Sequence, residues 1–193
     1  MKVTPLTIPD VLLVEPDVFG DDRGFFFEAF SVEKYRQQAG IEAVFVQDNV
    51  SRSIHGTLRG LHYQAPPMEQ GKLVQVLAGA VLDVAVDIRF GSPTFGQSVS
   101  AELSDENHYQ LWIPPGFAHG FLTLSEYALF SYKCTNGYSP AHDRGVLWSD
   151  PTLNDGAGIA WPNLEGIDEY LLSEKDQKQK KLNEIEQDFL YKK

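Results

Sequence analysis

Along the middle of the chain the apolar positions fall in short runs separated by turn residues. Residues 57–63, 72–78, 80–89, 97–103, 110–113, 120–124 and 127–135 each read as a strand, rich in Val, Leu, Ile and aromatic side chains. Pro66-Pro67, Gly79, Gly91-Ser92-Pro93, Pro114-Pro115-Gly116 and Asn136-Gly137 punctuate them with residues that supply turn geometry. Many short, evenly spaced strands with few helices predict an all-β sandwich or small barrel, of which the jelly roll is a double-sheet form. Helical segments do not alternate with the strands, so a doubly wound α/β fold is disfavoured.

Upstream, residues 11–14 form an apolar run closed by Glu15 and Pro16, and the aromatic-rich stretch 19–30 is broken by Gly20 and Gly24. These predict edge strands with a turn at Gly20-Asp21-Asp22. Ser31 reads as the N-cap of a short helix through VEKYRQQA, stopped by Gly40. In the next strand Val44, Val46, Asp48 and Val50 occupy one alternate set, and Phe45, Gln47, Asn49 and Ser51 the other, so Gln47 and Asn49 share a face. From Ser173 the texture becomes charged, with Leu182, Ile185, Phe189 and Leu190 at helical spacing. An amphipathic C-terminal helix over residues 173–193 is expected, docked on the β-domain or on a partner chain.

Composition narrows the function. A chain of 193 residues supports one substantial core, so residues 1–193 are read as a single domain with 173–193 as a helical extension. Sixteen basic against 27 acidic residues give a formal charge of −11, which argues against a nucleic-acid surface. An anionic ligand must therefore meet a local basic cluster. The single cysteine, Cys134, permits no intrachain disulfide; it reads as a buried strand residue before a nucleophile. The opening MKVTPLTIPD lacks a charged start followed by a long apolar run, and no stretch approaches the roughly 20 apolar residues that span a bilayer, so a cytoplasmic protein with no membrane partner is expected.

The candidate chemistry is densest in IHGTLRGLHYQAPPMEQGK, residues 54–72, where titratable groups sit inside an apolar setting and must be paired or used. Strict alternation places Arg59 and His62 on opposite faces of one strand. A bulge or twist near Gly60 would unite them with Lys72 in one pocket, and a glycine inside a strand is where bulges occur; the alternative is that Arg59 serves a neighbouring site across a dimer interface. His119, in PPGFAHGF, follows a tight turn and has three open readings: metal ligand, orienting group or hydrogen-bonded core histidine. No H-x-H pattern or acid at fixed short spacing completes a metal set, so no metal is expected. Tyr132 and Tyr138 flank an Asn-Gly turn in YKCTNGY and are either hydrogen-bonded structural phenols or, facing a pocket, a general acid. Asp176, in Ser173-Glu174-Lys175-Asp176, fits the third position of a capped helix start as well as a catalytic role.

Taken together and in order, GDDRGFFFE, QDNVSRS, GTLRGLHYQ, QGKLVQVLAG, PPGFAHGF, YKCTNGY and LLSEKD resemble the dTDP-4-dehydrorhamnose 3,5-epimerases, jelly rolls of the cupin superfamily, from about Val11 to Asp176. The resemblance implies epimerisation at C3 and C5 of a dTDP-4-keto-6-deoxyhexose through an enolate, with no cofactor and a homodimeric assembly. It implies His62 as base, Tyr132 as acid, Asp176 orienting His62, and Lys72 beside the keto oxygen. It further implies that Arg23, Glu28, Gln47, Asn49, Arg59, His119, Tyr138, Asp143 and Lys175 contact the dTDP-sugar. Rival readings are a relative that epimerises one carbon, a ketoisomerase of the same fold, a metal-dependent cupin enzyme using His62 and His119, and a non-catalytic sugar-nucleotide binder.

Overall fold

The computed structural model of the protein describes residues 1–192. Its strands are β1 (Lys2–Pro5), β2 (Leu12–Glu15), β3 (Val18–Asp21), β4 (Gly24–Phe27), β5 (Gln47–Ile54), β6 (Leu58–Gln64), β7 (Lys72–Ala78), β8 (Ala80–Asp87), β9 (Ser98–Ser104), β10 (Gln110–Ile113), β11 (Phe117–Thr123), β12 (Tyr127–Cys134) and β13 (Asp143–Gly145). A six-stranded sheet in the order β1-β2-β10-β7-β12-β5 lies over a five-stranded sheet in the order β13-β6-β11-β8-β9. This is a double-sheet jelly roll, one of the sandwich forms that the strand spacing predicts and the one that the family resemblance implies. Strands β3 and β4 form a separate hairpin.

Alternation along the strands explains the layering. Val74 and Val76 of β7, Ala128 and Phe130 of β12, Val81 and Ala85 of β8, and Phe117 and Phe121 of β11 meet in one buried cluster between the sheets. The intervening positions Val84 and Val86 point the other way, into a second cluster with Leu61, Tyr63, Val146 and Leu153. Each fully buried aliphatic or Phe side chain contributes about 1.5–3 kcal/mol, so both faces of β8 stabilise the sandwich. Helix α1 (Val32–Ala39) forms as the sequence predicts. The Ser31 side chain accepts from Lys34 N, Gly40 closes the helix at φ 66°, and Tyr35 docks against Val14, Leu73 and Trp112.

The C-terminal segment departs from expectation. Instead of one amphipathic helix over 173–193 it holds a single helical turn at Glu174–Gln177, a 3-10 turn at Leu182–Glu184, and otherwise extended chain; Lys193 lies outside the described residues. Its backbone is claimed by neighbours. Leu147 and Phe90 donate to the carbonyls of Lys180 and Phe189, and Leu182 donates to Oδ2 of buried Asp150 at 2.7 Å. Leu182, Ile185 and Phe189 still deliver their side chains to the second cluster. The apolar spacing therefore registers a docking face without a helix. No helix of the described residues is long and apolar enough to cross a membrane.

Strand β5 is also unusual. It closes one edge of the six-stranded sheet, and its inward positions are polar, Gln47, Asn49, Ser51 and Ser53, while Val50 and Ile54 are exposed. Val44 and Val46, just before it, are exposed too. The hairpin adds exposed Phe19, Phe25 and Phe26.

Candidate active site

The polar face of β5, with the facing positions of β6, β7, β11 and β12, encloses a cavity of about 680 Å³. Arg59, His62, Lys72, His119, Tyr132 and Asp176 line it together. The expected irregularity at Gly60 is what makes this possible. His119 pairs with His62 and Phe121 with Arg59, so two steps on β11 oppose three on β6. Past this bulge Leu61 and Tyr63 face the outer cluster and His62 faces the cavity, whereas before it Arg59 faces the cavity. Gly60 has φ 123°, and a Cβ there would meet Gly120 Cα at 2.6 Å and His119 O at 2.8 Å. No other residue fits that crossing.

His62 Nε2 lies 2.5 Å from Asp176 Oδ1. Asp176 is only 3 % exposed and sits in the turn α3 (Glu174–Gln177), counting Leu153–Gly156 as α2. Burial opposes its ionisation, but the hydrogen bonds from His62 and Ser173 and the charges of His62 and Lys175 outweigh that and hold its carboxyl below the usual carboxylate range. The imidazole thus keeps one nitrogen for Asp176 and one for a ligand.

A second histidine–carboxylate pair stands beside the first. His119 Nε2 lies 2.9 Å from Asp83 Oδ2, and both residues are buried. Burial pushes His119 down and Asp83 up, against their mutual attraction, so both lean toward their neutral forms. Lys72 is 9 % exposed and its Nζ contacts His62 O at 3.4 Å; it makes no ion pair among the described residues. Burial pushes its ammonium below the ordinary lysine range, while Cys134, Asp83 and Asp143 pull it back. Tyr132 is pushed up by burial, with Arg59 pulling the other way, so its phenol keeps its proton. Among the described residues no three His, Cys, Asp or Glu side chains gather as metal ligands would.

An adjoining cavity of about 360 Å³ shares His62, Lys72, Tyr132 and Lys175 with the first and adds Gln47, Asn49, Tyr138 and Asp143. Gln47 Nε2 donates to Asn49 Oδ1 at 2.9 Å, which fits their shared face. Asp143 Oδ2 accepts from Tyr138 OH at 2.9 Å and from Lys175 Nζ. Cys134 is buried in the strand, as expected, and accepts from Asn49 Nδ2 at 3.6 Å.

Of the residues singled out in the sequence, Arg23 and Glu28 alone line neither cavity. Arg23 tops the exposed hairpin, paired with Asp21 at 2.5 Å, and Glu28 meets Lys34 at 3.4 Å. Asp83 joins the site beyond the residues singled out in the sequence, and its signal there is an acid inside the apolar run AVLDVAVD, where a charge must be paired. The sequence marks Ser173 only as a helix cap and carries no signal for Tyr170 of the cavity wall.

The profile of the family described as dTDP-4-dehydrorhamnose 3,5-epimerase matches residues 5–184. The dTDP-4-dehydrorhamnose 3,5-epimerase of Pseudomonas aeruginosa is 57% identical over 180 residues, covering 93% of this chain and 95% of that one. Among solved structures, a dTDP-6-deoxy-D-glucose-3,5-epimerase from Legionella pneumophila in complex with dTDP-4-keto-L-rhamnose is 48% identical, with a TM-score of 0.92 over 100% of this chain and 99% of that one. A 3′-monoepimerase from Streptomyces bikiniensis in complex with dTDP-quinovose is less similar, at 37% identity and a TM-score of 0.84 over 95% and 88%.

Proposed function

The chain belongs to the dTDP-4-dehydrorhamnose 3,5-epimerase family, and we propose how its side chains divide the reaction. The enzyme inverts C3 and C5 of a dTDP-4-keto-6-deoxyhexose. A ketone acidifies the hydrogens on both neighbouring carbons, so each inversion needs a base, a stabiliser for the enolate and an acid on the opposite ring face. No redox cofactor enters this scheme.

His62 is the base. The nitrogen not held by Asp176 takes the proton from carbon, and Asp176 stabilises the imidazolium that results. The electron pair left behind spreads onto the C4 oxygen, where Lys72 supplies a buried positive charge. Tyr132 returns a proton to carbon from the other side, and solvent then restores both His62 and Tyr132. The observation that carries this reading is the placement of base and acid on different sheets. His62 projects from β6 and Tyr132 from β12, so the two reach the shared cavity from opposed walls.

Arg59 and Lys175 are the cations for the diphosphate, in a chain whose formal charge is −11. Gln47 and Asn49 present amides to the pyrimidine, Tyr138 presents its ring, and His119 and Asp143 contact the sugar-nucleotide. Arg23 and Glu28 act on the neighbouring copy in a homodimer. The exposed phenylalanines of the hairpin and the outward valines at the β5 edge support that assembly, because an unpaired apolar edge is otherwise a liability.

The reaction is tested by NMR of dTDP-4-keto-6-deoxyglucose turned over in D₂O. Deuterium at both C3 and C5 of the product is expected, and protium retained at either carbon contradicts the double epimerisation.

A further inference from the structure

The carboxylate that steadies His62 is itself held by a hydroxyl. Ser173 Oγ donates to Asp176 Oδ2 at 2.8 Å and accepts from Asp176 N at 3.1 Å. With Oδ1 taken by His62, both oxygens of the carboxylate have a donor. One hydroxyl thus grips the backbone and the side chain of the same residue, which leaves the carboxylate plane little freedom to turn.

The setting of Ser173 is rigid for reasons outside the turn. Two residues earlier, Leu171 donates its N–H to Gly56 O at 2.9 Å and accepts from Leu58 N at 3.0 Å. Leu58 opens the strand that carries His62. These two backbone hydrogen bonds at Leu171 fix Ser173 relative to the base, and Ser173 fixes Asp176. Ser173 also lines the cavity, yet its hydroxyl is turned to the carboxylate.

We infer that Ser173 is a positioning residue of the epimerisation, acting through Asp176 to hold the His62–Asp176 pair in register. This rests on the assignment of His62 as base. The competing role is that of a plain helix cap, and chemistry separates the two. Glycine at an N-cap position is nearly as good as serine, but it has no hydroxyl to donate. Threonine keeps the hydroxyl.

The test compares Ser173→Gly and Ser173→Thr in the full-length enzyme, each alone and in an Asp176→Asn background. Thermal melting confirms folding, and kcat, KM and the pH profile of kcat/KM are the readouts. Ser173→Gly is expected to lower kcat roughly 10-fold or more with KM nearly unchanged, since a hydrogen bond to a charged group is lost. Its acid limb moves to higher pH, because a carboxylate that has lost a donor protonates more readily. Ser173→Thr restores most of the rate. In the Asp176→Asn background Ser173→Gly has little further effect, because the group it acts through has changed.

Three results overturn the inference: Ser173→Gly with wild-type kcat and pH profile, Ser173→Thr no better than Ser173→Gly, or an undiminished effect of Ser173→Gly beside Asp176→Asn. His62→Ala run in parallel distinguishes a different failure. If that variant still exchanges the C3 and C5 hydrogens, the base is wrongly assigned, whatever Ser173 does.

Discussion

Asp176 Oδ1 lies 2.5 Å from His62 Nε2 although the two residues are 114 positions apart in the sequence. A neutral amide in place of the carboxylate keeps the shape and loses the charge that favours the imidazolium. Asp176→Asn is accordingly expected to lower kcat by roughly 10²-fold or more. KM for the dTDP-sugar should change little, because the carboxylate faces His62 and Ser173. Steady-state kinetics on a variant that melts like the parent checks this.

Lys72 is predicted to matter at the enolate. Lys72→Met keeps much of the side-chain volume, and its kcat is expected to fall by about 10²- to 10³-fold, the range typical of losing one electrostatic stabiliser. The sign of the alkaline limb follows from burial. Lys72 loses its proton below the ordinary lysine value of 10.5, whereas Tyr132 loses its own above the ordinary 10.0. Activity should therefore decline on the alkaline side from below the ordinary lysine range, as Lys72 discharges. The pH profile of kcat/KM measures it.

Much of this arrangement is legible in the chain. Turn residues and short apolar runs give the sandwich, and Ser31 and Gly40 bracket the helix as their chemistry requires. The cavity is only half legible. Period-two reasoning separates Arg59 from His62, and only the crossing of Gly60 over Gly120 reunites them. That crossing depends on a strand 60 residues away, which local spacing does not encode. Asp83 hides in an apolar strand because its partner, His119, comes from another strand. The C-terminal segment misleads for the opposite reason: its apolar spacing is helical, but hydrogen bonds to Phe90, Leu147 and Asp150 draw the backbone into extended chain.

Gly60→Ala tests the crossing. The added Cβ meets backbone at 2.6 Å in a region that L side chains rarely adopt, so neither a rotamer change nor a small shift relieves it. A loss of about 2 kcal/mol or more in stability is expected, with activity falling further than the unfolded fraction explains. Denaturant unfolding and activity at a matched folded fraction provide the comparison.

Arg23 carries the prediction about assembly. If the hairpin of one copy completes the site of the other, Arg23→Ala and His62→Ala are each poorly active alone, yet mixed dimers contain one intact site. Activity after mixing unfolded chains and refolding them together should rise well above that of either variant. No rise means that Arg23 acts within its own chain or not at all.

The central claim is that His62 removes the protons, and the most direct measurement is solvent exchange with the chemistry isolated from turnover. His62→Ala, at high concentration in D₂O with dTDP-4-keto-6-deoxyglucose, is followed by proton NMR at C3 and C5. The wild type should lose both signals rapidly, and the variant should lose neither beyond the rate of the enzyme-free control. Loss of either signal in His62→Ala at the wild-type rate would contradict the account.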